Sequence, residues 1–285
     1  NKENESPLLT ITRKQAKKLA TLCKQELGNN IVVDFCMRYG KPSTEKVIRG
    51  MKDQGCNKIL FFPLYPQYAA PTTATANDQV FRSLMKLNWQ PAIRTVPPYF
   101  DDKDYIKALC DSIKSSFKNA KKKPEHLVLS YHGVPERYLL SGDPYHCQCQ
   151  KTTRLIMEEL GWTSVDLTTS FQSKFGPEKW IGPSTEDIIV ENSKLGKHIV
   201  LVPIAFVSEH SETLVELDIE YKELADKNGC KNYSRVPALG TNENYIKAMS
   251  NLIIHKQDYS FNGELFPPKI QCPNQFKKCP CLRYE

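Results

Sequence analysis

Residues 42–64 read PSTEKVIRGMKDQGCNKILFFPL, and residues 183–204 read PSTEDIIVENSKLGKHIVLVPI. The two openings lie 141 residues apart, as do Gly55 and Gly196. In each copy a Ser-Thr pair caps a helix, a glycine ends it, and an apolar run suited to a buried strand follows. Two such units predict two similar α/β halves.

Working outward, apolar β-rich runs alternate with helical patterns. Strands are expected at 31–35, 58–64, 127–131, 165–171 and 198–206. Helices are expected near 44–54, 78–87, 103–117, 151–160, 185–193, 209–228 and 242–255. This alternation predicts parallel sheets flanked by helices, with ligands held where strands end and helices begin. The division expected is a first half over 1–115, a second over 116–260 and a cysteine-rich extension over 261–285. At the repeat offset Tyr39 falls on Trp180, and the aromatic segment Tyr65-Pro66-Gln67-Tyr68 falls against the start of 208–212.

The composition is that of a folded, non-spanning protein: 40% hydrophobic and 25% charged, with no apolar run of membrane length and no signal-peptide pattern. A net charge of +7 favours an anionic substrate or surface, but the basic residues are dispersed, with 121–123 as the one compact run, so nucleic acid is a poor partner. The chain opens at Asn1 without a methionine and reads as starting part-way into a longer protein. Ten cysteines without a secretory signal do not describe a disulfide framework.

The acids of 208–221, SEHSETLVELDIEY, follow the strand expected at 198–206. Read as an α-helix, this stretch puts Leu214, Leu217 and Tyr221 on an apolar face and Glu209, Glu212, Glu216 and Glu220 on an anionic one. Acids near a helix start also suit its dipole, so spacing alone leaves decoration and metal handling equally open. Each like-charged neighbour pair costs a few tenths of a kcal/mol, which a passing cation would offset. His132 ends another expected strand, at the edge where proton transfer or metal ligation is placed. Arg38-Tyr39 and the 172–180 segment, ending in Trp180, set basic groups beside aromatics, a combination that binds carboxylates and covers an apolar ring. At the C-terminus Cys272, Cys279 and Cys281 can hold zinc or an iron–sulfur cluster with a fourth ligand, for which Cys149, Cys147 and Cys110 are the candidates in that order.

In chain order SYHGVPERY (130–138), SGDPYHCQCQKT (141–152), SFQSKFGPEKWIGPSTEDII (170–189) and VPIAFVSEHSETLVELDIEY (202–221) resemble the ferrochelatases, which insert ferrous iron into a porphyrin in haem synthesis. SPLLTITRKQA (6–16), MRYGKPSTE (37–45) and YPQY (65–68) are similar to the family's earlier segments. The resemblance implies a chelatase-like fold of two Rossmann-type three-layer α/β/α halves with a cleft between them. It implies insertion of Fe²⁺ into protoporphyrin IX, with His132 and Glu212 as catalytic residues and His132, Glu212, His210 and Glu216 on the metal path. It places Arg38, Tyr39, Tyr68 and Trp180 around the macrocycle. A [2Fe-2S] cluster on Cys272, Cys279, Cys281 and Cys149 is a further expectation, although Ala69-Ala70-Pro71 stands where some cluster-bearing relatives place a cysteine. A homodimer and a peripheral membrane contact complete the expected partners. The expected compartment is the cytoplasm, at the inner membrane, or the mitochondrial matrix side. A coproporphyrin or cobalt-tetrapyrrole chelatase of the same fold and a non-catalytic porphyrin carrier are the alternatives.

Overall fold

The computed structural model describes residues 5–117, 124–163 and 167–255. Helix α1 (Pro7–Leu27) comes first, then α2 (Thr44–Asp53), β1 (Lys58–Phe61), a π-helical turn (Ala70–Ala74), α3 (Thr75–Lys86), β2 (Ala92–Thr95) and α4 (Lys103–Phe117). The chain continues through β3 (His126–His132), α5 (Glu136–Leu140), α6 (Tyr145–Leu160), β4 (Leu167–Gln172), α7 (Thr185–Lys194) and β5 (His198–Pro203). A π-helix (Glu212–Glu220), α8 (Tyr221–Lys227), β6 (Asn232–Arg235) and α9 (Glu243–His255) close it.

The repeated unit forms as its residues dictate. Ser43 Oγ accepts the Lys46 N–H at the start of α2, and Ser184 Oγ accepts the Asp187 N–H at the start of α7, satisfying amides that a helix start leaves unpaired. Gly55 and Gly196, at φ of 76° and 65°, take the left-handed turn that lets each chain reverse into its strand.

All strand pairs are parallel. One sheet pairs β1 with β2, and the other has the order β4-β3-β5-β6. Strand β5 is buried along its whole length and β3 everywhere but His132, as apolar runs covered on both faces must be. Leu127, Leu129, Val200 and Val202 point into a large core shared with α1, α4, α6 and α9. Val128, Ile199 and Leu201 point the other way, under α7, α8 and the π-helix. The larger sheet is thus the middle of three layers. A smaller cluster, Ile48, Val80, Leu84 and Leu87, packs α2 and α3 on β1 and β2. Helix α4 spans residue 115 and packs against α6 and α9, so residues on either side of that position share one core. No helix among the described residues is long and apolar enough to cross a membrane.

Several sequence expectations change. Residues 31–35, expected as a strand, form none and pair with no described strand. Strand β5 ends at Pro203, so Ile204, Ala205 and Phe206 turn toward the acids. The single α-helix expected over 209–228 is a π-helix followed by a short α-helix. That register leaves Leu214, Val215 and Ile219 36%, 47% and 51% exposed, so Leu214 is not part of a buried face.

Candidate functional site

Four segments converge at the C-terminal ends of β3, β4 and β5. The Gly133 N–H donates to Gln172 O at 2.8 Å and the Ile181 N–H to Val134 O at 3.1 Å, so the loop after β3 pairs with the loop after β4. A side chain at Gly133 would place its Cβ 2.9 Å from Gln172 O and 3.0 Å from Trp180 Cε3. Glycine is therefore what lets Trp180 lie over this turn, with Phe175 tilted against it at 5.1 Å between centroids.

His132 stands at the end of β3. Its Nδ1 lies 2.6 Å from Gly133 O, which can only accept, so Nδ1 carries the proton of the neutral ring. The Nε2 lone pair is left free. It faces Glu212 Oε2 at 3.6 Å, outside hydrogen-bonding distance. That oxygen is buried and has no hydrogen-bond partner, an unusual state for a carboxylate. The arrangement holds a base and an acceptor face to face.

The Phe206 ring lies 6.3 Å from that of His132 and 4.1 Å from that of His210. His210 Nδ1 accepts the Glu212 N–H at 3.1 Å, and His210's own N–H donates to Thr213 Oγ1. With Nδ1 an acceptor, the neutral ring's proton sits on Nε2, and burial pushes its pKa below the ordinary histidine value. His210 thus anchors the backbone of the loop that carries Glu212.

Glu216 is tied down by donors. It accepts Ser173 N–H at 2.9 Å, Ser173 Oγ at 2.7 Å, Tyr221 OH at 2.7 Å and Gln172 Nε2 at 3.4 Å. Gln172 and Ser173 lie in the segment expected to bind a ring, but their role as donors to Glu216, like that of Tyr221, is not legible in the sequence, since it depends on β4 ending beside the π-helix. The anionic stripe expected from spacing divides in two. Glu209 and Asp218 turn to Arg235, whose side chain is 8% exposed; it donates to Glu209 at 3.0 Å and to both oxygens of Asp218 at 2.6 and 2.7 Å. Glu212 and Glu216 face His132 and the β4 loop, and Glu220 is exposed.

The aromatic segments lie elsewhere. The Arg38 guanidinium covers the Tyr39 ring at 4.6 Å, and Tyr39 is 77% exposed. Arg38 Nε is buried without a protein partner. Burial pushes the Tyr65 and Tyr68 hydroxyls up. No described contact joins Tyr39 or Tyr68 directly to His132; Tyr68 is linked to it through Gln148 and Tyr145 of α6.

Among the described residues no group of three or more His, Cys, Asp or Glu side chains is arranged to hold a metal ion. His132 and Glu212 are a pair, and Glu209, Glu216 and Asp218 have protein partners. Cys272, Cys279 and Cys281 lie outside the described residues. Cys149, expected as their fourth partner, is fully buried in the core, and burial pushes its thiol well up, away from the thiolate a cluster needs. Cys149 does not fit that group.

The ferrochelatase family model matches residues 1–257. A ferrochelatase of Pelagibacter ubique is 51% identical over 281 residues, covering 98% of this chain and 81% of that protein. One from Rhodobacter capsulatus is 48% identical over 252 residues, covering 88% and 72%. Among solved structures, SirB from Bacillus subtilis with Fe³⁺ superposes with a TM-score of 0.62 at 18% identity, over 85% of this chain and 88% of that one. CbiX, the terminal enzyme of sirohaem synthesis in denitrifying bacteria, gives 0.56 at 11% identity over 88% and 94%. The two structures fix the fold as chelatase-like, and the family match with the close sequence relatives fixes the rest: the chain belongs to the ferrochelatase family.

Proposed function

We propose that His132 and Glu212 are the reacting pair of this ferrochelatase, which inserts ferrous iron into protoporphyrin IX to give haem and two protons. The observation that carries the assignment is the free Nε2 lone pair of His132 facing an unpartnered Glu212 oxygen at 3.6 Å. A free porphyrin holds two N–H protons that must leave as Fe²⁺ enters. His132 Nε2 takes a pyrrole proton, and Glu212 is placed to accept the second or to stabilise the imidazolium that forms. Nothing is oxidised or reduced, and the iron replaces the two protons on the ring nitrogens.

Glu216 stands next along the iron path. Its oxygens already accept four hydrogen bonds, so a cation binds there only by displacing a donor, which keeps the ligand weak enough to release its cargo. His210 acts through Glu212, whose backbone it anchors. Arg38 and Tyr39 supply a cation and an aromatic face for the macrocycle, Tyr68 a second ring, and Trp180 closes over Gly133 beside the base.

The test is anaerobic incubation of the protein with protoporphyrin IX and Fe²⁺. The expected result is loss of free-porphyrin fluorescence with the appearance of the haem spectrum. Folded protein that leaves the fluorescence unchanged contradicts the assignment, and insertion of cobalt into a different tetrapyrrole in its place favours the alternative chelatase.

A further inference from the structure

The segment SGDPYHCQCQKT takes no part in the proton and iron chemistry, yet its side chains reach both the 65–70 segment and His132. Asp143 stands just before α6. Its Oδ1 accepts the Tyr145 N–H at 2.9 Å, and its Oδ2 accepts the Ala70 N–H at 2.7 Å. Gln148, on the first turn of the helix, accepts the Tyr68 N–H at 2.6 Å. Gln67, 3% exposed, donates in turn to Thr152 Oγ1 at 3.1 Å, one turn further along. On the same buried face Tyr145, 6% exposed, donates to His132 O at 2.9 Å, and Tyr131 OH donates to Cys149 O at 3.1 Å.

These contacts have a common logic. Residues 65–69 belong to no helix or strand, so their amides need partners from outside. The Tyr68 N–H finds its partner on α6 and the Ala70 N–H on Asp143 just before it, and Tyr145 of the same helix binds the carbonyl of His132. Burial pushes the Asp143 carboxyl up while the Ala70 and Tyr145 N–H groups pull it back. Two acceptors thus set the backbone on either side of Ala69, and with it the direction in which the Tyr68 ring leaves the chain.

We propose that Asp143 and Gln148 are positioning residues for the porphyrin, fixing the Tyr68 wall at a set distance from His132 through the N-terminal turns of α6. The inference rests on the proposed function in taking Tyr68 as a porphyrin contact. Neither side chain touches the reacting atoms, so the effect belongs in macrocycle binding and leaves the iron step alone.

The experiment compares Asp143→Ala, Asp143→Asn and Gln148→Leu with the wild type in the full chain. The readouts are KM for protoporphyrin, KM for Fe²⁺, kcat, the Kd of metal-free protoporphyrin by fluorescence, and the thermal midpoint. Loss of a charge-assisted hydrogen bond predicts a rise of about tenfold in porphyrin KM and Kd for Asp143→Ala. The KM for Fe²⁺ should stay unchanged, and kcat at saturating porphyrin should hold within about twofold. Asp143→Asn keeps one carbonyl oxygen and should recover part of the loss. Should Asp143→Ala fail to fold, Asp143→Asn and Gln148→Leu carry the same prediction at smaller size. Unchanged porphyrin KM and Kd in the folded variants overturns the proposal, as does a parallel rise of both KM values with a falling midpoint. A wild type that binds porphyrin but inserts no iron overturns the functional reading alone, and the porphyrin Kd still decides this one.

Discussion

Strands β1 and β5 close the same sequence unit, yet β5 is buried along its whole length while β1 has an exposed lysine and three half-buried residues. The difference lies in their neighbours. Strand β5 sits between β3 and β6 with helices over both faces, whereas β1 has β2 alone among the described strands. The proposed reacting pair lies at the larger, better covered sheet, where His132 ends a strand whose side chains enter two cores. Tyr68, the ring proposed to face the porphyrin from the other side, lies in the loop after β1, and its N–H is accepted by Gln148 of α6. A buried sheet positions groups by packing, and a loop has to be bracketed.

The largest break in this comparison comes from the cores. Leu129→Ala in β3, which is fully buried, should cost about 2–5 kcal/mol, and Leu60→Ala in half-buried β1 clearly less. Urea unfolding of both variants checks the ordering, and equal losses would remove the distinction between the sheets. Gly133→Ala comes next. Its Cβ has no room between Gln172 O and Trp180, so a cost of about 1–3 kcal/mol is expected, with a shift in tryptophan emission as Trp180 moves.

A smaller effect is acid-dependent. Burial holds His146 and His210 below the ordinary histidine value of 6.5, so below about that pH the unfolded chain binds protons that the folded one refuses. Stability from these groups is complete above that pH and declines as the pH falls toward the folded-state values. His146→Gln should flatten the decline, read as the thermal midpoint against pH. Smallest of all, Tyr39→Ala removes an exposed ring and should leave stability within about 0.5 kcal/mol while weakening porphyrin binding several-fold.

The sequence made part of this comparison readable. The capped helices, the glycine turns and the apolar runs of β3 and β5 report local chemistry, and all appear at or near their expected positions. Helix α1 was missed because its buried positions include Thr10, Thr12 and Gln15; Gln15 is admitted to the interior by donating to Val207 O and Gly240 O, residues far along the chain. Strands β2 and β6, AIRT and NYSR, are four residues each and carry an arginine, so they lack the apolar run that marks β5. At the site His132 and Glu212 were legible from their motifs, and the structure brings them face to face. The division of the acids was not legible, because Arg235 lies 17 residues beyond Asp218 and only the fold returns it there. Nor does spacing reveal a π-helix, in which each turn takes an extra residue.

The central claim is that His132 and Glu212 work as a pair, and a double-mutant cycle on iron insertion tests it most directly. Initial rates would be measured anaerobically for the wild type, His132→Ala, Glu212→Gln and the double variant. The account predicts that each single substitution lowers kcat by about 10²–10⁴-fold and that the double variant falls little below the worse single. Losses that multiply in the double variant, or single variants that keep wild-type rates, would contradict it.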